Sequence, residues 1–164
     1  MVRTLLLAAA VCIAAALLEA FCAGRGIRQR MAALRWPRYS VRFSGWMVIG
    51  GVYYLICFAV LTRLMLTTSP LRTVPFLLLG RVMLINALWN VFFFRTRNLR
   101  HAFLVGLAYS AAALALLLTL WRVDVAAASC FSPYVIYLFY ANAWGYRVWQ
   151  LNRQSPNVAN DLDC

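Results

Sequence analysis

Five stretches of the chain, at roughly 4–23, 45–66, 71–94, 102–121 and 125–149, are almost wholly apolar, and short arginine-bearing connectors separate them. Each is about 20 residues or longer, which at 1.5 Å per helical residue crosses about 30 Å of hydrocarbon. Only helices and closed barrels satisfy their backbone groups in lipid, and runs such as 110–120 lack the alternation of a barrel strand. The pattern therefore predicts an all-α, polytopic membrane protein: a five-transmembrane-helix bundle over residues 1–153, followed by a polar C-terminal tail at 154–164. The first stretch has a second reading. Arg3, a Leu/Ala core and small residues near 20–24 also suit a cleaved signal peptide. Its apolar run is longer than a signal core, and Ala8, Cys12, Ala16 and Ala20 make a small-residue stripe at helical spacing that suits close packing. A retained helix and a cleaved leader both stay open at this point.

Composition agrees with the pattern. Hydrophobic residues make up 65% of the 164 and charged residues 12%, about half the charge of a soluble domain, which excludes a water-soluble monomer. The sixteen basic residues are all arginine and the acids are Glu19, Asp124, Asp161 and Asp163, for a net charge of +12. In a soluble chain that balance would suggest nucleic acid. Here the cations lie between apolar spans, so the expected partners are membrane lipids and not nucleic acid. Arg3, Arg63, Arg72 and Arg122 fall on one face of the predicted bundle. The other face holds six arginines in the first loop (Arg25 to Arg42), three in the third (Arg95, Arg97, Arg100), and Arg147 and Arg153. The positive-inside rule makes the richer face cytosolic, with the N-terminus out and the C-terminus in. Arg81 alone falls mid-span. The five cysteines form no CxxC pair and sit mostly in apolar segments, so neither a disulfide framework nor a metal site is expected.

Counting inward from the cytosolic helix ends puts Tyr53, Tyr54, Asn86, Tyr140 and Asn142 at one level, about 10–14 Å deep. Polar groups at such depth need partners or a wet cavity. Asn86 and Asn90 share a face of the third helix, with Trp89 and Phe93 beside them. Pro133, Tyr137, Tyr140, Ala141 and Trp144 form a face of the fifth, and Tyr137 is too central to belong to an interfacial aromatic belt. Pro133 can kink that helix and widen the bundle. The expectation is a shared pocket; the bland alternative is interhelical hydrogen bonding that holds the bundle together.

The third helix reads Asn86-Ala-Leu-Trp89-Asn90-Val-Phe92-Phe93. The fifth reads Pro133-Tyr134-Val-Ile-Tyr137-Leu-Phe-Tyr140-Ala141 and continues with Tyr146-Arg147-Val-Trp149-Gln-Leu151-Asn152. Both resemble the signatures of the TspO/MBR family, the tryptophan-rich sensory or translocator proteins, in order and at the right separation. The chain departs from that pattern with Trp36-Pro37 in place of a Pro-Pro doublet, Tyr137 and His101 at positions where tryptophan is usual, and Gly145 in place of asparagine. The resemblance implies a five-helix bundle, often a homodimer, whose cavity opens toward the cytosolic side and accepts porphyrin, haem, sterol or flat aromatic drugs. It implies a carrier or stress sensor with no obligatory cofactor, placed in the mitochondrial outer membrane, another organelle membrane or a bacterial inner membrane. The candidate ligand-binding residues are Trp46, Tyr53, Tyr54, Asn86, Trp89, Asn90, Pro133, Tyr137, Tyr140, Ala141 and Trp144.

Two other functional classes stay open. A porphyrin-degrading enzyme would lean on cavity tryptophans, of which Trp46 matches and Tyr137 does not. With no nucleophile–base pair in the chain, no catalytic role is expected. A membrane adaptor without small-ligand transport is the remaining alternative. His101 could ligate haem iron through its imidazole, although a headgroup-level histidine beside Arg100 is the plainer expectation.

Overall fold

The apolar stretches fold as helices because an intrasegment i to i−4 ladder leaves no backbone group to be solvated by lipid. A computed structural model describes residues 1–153; the predicted tail at 154–164 lies outside the described residues. Within them the chain forms six α-helices and no strand: α1 (Val2–Ala23), α2 (Ile27–Ala33), α3 (Phe43–Leu66), α4 (Thr73–Asn90), α5 (Leu99–Val123) and α6 (Val125–Asn152). A 3₁₀ turn (Pro70–Arg72) leads into α4 and a π-helical turn (Val91–Arg95) ends it.

The five long helices match the five predicted stretches to within about three residues at nearly every boundary; the main difference is that the third stretch ends in the π turn. Helix α2, in the basic first loop, was not expected. Four segments are long and apolar enough to cross a membrane by composition: Val2–Ala23, Phe43–Leu66, Pro70–Arg95 and Leu99–Val123. The expected fifth, α6, has the length at 28 residues but not the hydropathy, because it carries Ser129, Ser132, four tyrosines, Asn142 and Arg147.

The long helices close a ring in the order α1, α3, α6, α5, α4, each packed on its two neighbours. Helix α1 enters this ring through Ala8 and Cys12, which are buried, whereas Ala20 at the far end of the same small-residue stripe is exposed. The half of the bundle that holds the α5–α6 connector is filled solid by Leu64, Leu79, Leu116, Leu120 and Phe131, all at or near complete burial. Its connectors are tied by Asp124, which caps α6 through the Ala127 N–H (3.0 Å) and takes both of its carboxylate oxygens to Arg63 Nε (3.0 and 2.9 Å). Helix α6 continues through Pro133, whose ring is exposed on the outside of the bundle. Arg81 is likewise exposed, on the outer face of α4.

At the opposite, arginine-rich end, the first loop folds back onto α6. Arg35 and Asn152 exchange two hydrogen bonds of 3.0 Å, Trp36 stacks on Trp144 (5.5 Å), and Trp144 Nε1 donates to Ser40 Oγ (3.0 Å).

Candidate functional site

Beneath that strap the packing opens into a cavity of about 180 Å³, to which all five long helices contribute. At about 30 Å³ per water in the liquid this is room for about six waters, well beyond an ordinary packing defect. Its wall is mainly aromatic. Trp46 and Tyr53 come from α3, Trp89 from α4, Phe93 from the π turn, Phe103 and Tyr109 from α5, and Tyr134, Tyr137 and Trp144 from α6. The rings interlock: Trp89 lies flat on Phe93 (4.7 Å, 16°), Phe93 on Trp144 (5.8 Å), and Trp144 against Trp46 (4.5 Å). The π turn inserts an extra residue where α4 meets this cluster, as π-bulges at functional sites often do.

Polar groups in the wall mostly have partners. Tyr109 and Tyr134 share a hydroxyl–hydroxyl bond of 2.7 Å, and Asn142 Nδ2 donates to Ser110 Oγ (2.7 Å). Two donors are buried without one, Trp46 Nε1 and Tyr53 Oη. An unpaired buried donor is costly.

Seven of the eleven sequence-predicted residues lie in the wall: Trp46, Tyr53, Asn86, Trp89, Tyr137, Ala141 and Trp144. The other four lie elsewhere. Tyr54 and Asn90 sit behind the wall, bonded to Glu19. Tyr140 donates to the Tyr39 carbonyl of the first loop (3.1 Å), and Pro133 faces away from the bundle. His101 is exposed, stacks on Phe92 (5.7 Å) and is not in the wall; among the described residues no cluster of metal-ligating side chains forms.

The main omission of the sequence reading is Glu19, which lines the cavity from α1. Its Oε2 accepts from Tyr54 Oη (2.6 Å) and Asn86 Nδ2 (2.8 Å), and its Oε1 from Asn90 Nδ2 (3.1 Å). The signal was present: Glu19 is the one acid inside a predicted span, and such a residue is a candidate functional group by position alone.

This aromatic cavity, set inside a ring of apolar helices and flanked by the Asn86–Phe93 and Pro133–Ala141 segments, agrees with a comparison against protein families, in which the TspO/MBR family matches residues 8–150. The chain belongs to the TspO/MBR family. The match begins within α1 and ends within α6, so TspO/MBR membership covers the whole helical ring and every residue of the cavity wall. No curated protein sequence matches the chain. Family membership together with the four apolar helices makes this a membrane protein of TspO/MBR type.

Proposed function

We propose that the chain is a five-span membrane protein that binds a flat hydrophobic ligand in the aromatic cavity and acts as a carrier or stress sensor. Porphyrin or haem and sterols are the candidate ligands. The observation that carries the proposal is the cavity itself: stacked rings from several helices, with a few polar groups between them, held within an apolar bundle. Aromatic faces stack on a flat ligand, and sparse polar atoms orient it. The arginines around the same end would attract propionates or other carboxylates.

Helix α6 counts as the fifth span because the polar residues of its middle face inward. Tyr134, Tyr137, Asn142 and Trp144 line the cavity, while Ile136 and Phe139 are the most exposed large side chains of the helix. The positive-inside rule orients the bundle with its C-terminus cytosolic; a C-terminal reporter active only on the opposite side would refute that orientation. A homodimer is part of the proposal, to be tested by the mass of the detergent-solubilised protein. We propose no catalytic role and no obligatory cofactor.

Titrating the purified chain with protoporphyrin should quench tryptophan fluorescence saturably, and Trp89→Ala or Tyr137→Ala should weaken binding about ten-fold. Non-saturable quenching, or affinities in both variants equal to that of the wild type, would refute the reading.

A further inference from the structure

A carboxylate offers about four acceptor positions, and three of those on Glu19 are taken by Tyr54, Asn86 and Asn90. Two of these bonds fall on Oε2 and one on Oε1, which leaves an acceptor position on Oε1 of a side chain that lines the cavity. All three partners are neutral. Among the described residues the only ion pair is Arg63–Asp124, at the other end of the bundle, so no arginine shares this carboxylate. The same cavity is lined by Trp46, Tyr53, Trp89, Tyr137 and Trp144, and aromatic rings attract cations through their quadrupoles.

On this basis, and resting on the ligand-binding reading above, we propose that Glu19 is a specificity-determining residue. It selects flat, ring-bearing ligands whose buried end carries an N–H or protonated nitrogen. A ligand carboxylate placed at that end would meet a like charge in a low-dielectric wall and be rejected. The cytosolic arginines favour anions, but they act at the rim, where solvent screens charges within about 8–10 Å. Rim charge governs encounter, whereas a buried charge-assisted bond governs retention. Together they describe an amphoteric occupant, with nitrogen inward and any acid at the mouth.

The test uses the full chain in nonionic detergent at slightly alkaline pH, with tryptophan quenching by three flat tricyclic probes: 9-aminoacridine (cationic), acridine (neutral) and anthracene-9-carboxylate (anionic). A charge-assisted hydrogen bond should make 9-aminoacridine bind about ten-fold or more tighter than acridine, with the anion weakest. Glu19→Gln should abolish the preference, bringing the affinities of the cation and the neutral probe together. Equal affinities in the wild type, or a preference that survives Glu19→Gln, would overturn the proposal. Should Glu19→Gln fail to fold, the wild type at about 0.5 M salt decides, because a buried pair resists screening. Persistence of the cation preference there supports the proposal, and its disappearance overturns it. Saturable acridine binding without any cation preference refutes only the role of Glu19; no saturable binding of any probe refutes the cavity reading as well.

Discussion

Replacing Asp124 tests how the end of the bundle away from the arginine-rich loops is held. Its carboxylate performs two separable tasks: it caps α6 through the Ala127 N–H, and it receives Arg63 Nε and Thr67 Oγ1 (3.3 Å). Loss of an N-cap costs about 1 kcal/mol. The Arg63 side chain is 52% exposed, so the ion pair should contribute no more than about 1 kcal/mol after solvent screening. Asp124→Ala should therefore cost about 2 kcal/mol. Asp124→Asn retains a capping oxygen and should cost about 1 kcal/mol or less. For a chain of this size about 2–4 °C of Tm corresponds to each kcal/mol, so thermal unfolding in detergent at neutral pH should place Asn a few degrees below wild type and Ala further below.

The pH dependence has a definite sign. Burial pushes the Asp124 carboxyl up, but the Arg63 hydrogen bond, the Ala127 N–H, the Arg63 charge and Thr67 together outweigh it and hold the group below its ordinary value of 3.8. A depressed carboxyl contributes stability that is complete above its unfolded value and is lost as pH falls through the folded one. The gap between wild type and Asp124→Asn should thus be constant at neutral pH and close only below about pH 4. Identical melting of Ala and Asn variants, or a gap that closes near pH 6, would refute this assignment.

Two further substitutions probe the two halves of the bundle. A Cβ on Gly106 would sit 3.5 Å from Asn142 Oδ1 and 3.8 Å from Trp89 Nε1, ordinary contact distances, so Gly106→Leu should fold with its longer side chain in the cavity. Porphyrin quenching should then weaken at least ten-fold with helical circular dichroism unchanged; unaltered affinity would move the site elsewhere. Phe131, wholly buried in the solid half, should cost about 3 kcal/mol as Phe131→Ala, chiefly through lost packing contacts. A loss below about 1 kcal/mol would mean that this half is not close-packed.

The long helices were legible because a membrane imposes one length on every span. Helix α2 was not, since its seven residues lie in a polar, arginine-rich loop and show no sustained apolar period. Counting depth along a helix gives height but not azimuth, and this explains the site residues that lie outside the wall. Tyr53 and Tyr54 are at the same level but about 100° apart around α3; one lines the cavity and the other turns toward α1. Tyr140 is deep enough by count, yet a first loop that folds back over α6 takes its hydroxyl. Glu19 was visible as a lone acid in an apolar span, but its three partners come from α3 and α4, and only the closed ring brings them together.

The paired bonds between Arg35 and Asn152 join positions 117 residues apart. A ribosome adding about 5–20 residues per second needs roughly 6–23 s to make that interval. During that time Arg35 has been made but its partner Asn152 has not. Final assembly at that end is therefore a late, post-insertion event that waits for the last helical turn to be synthesised.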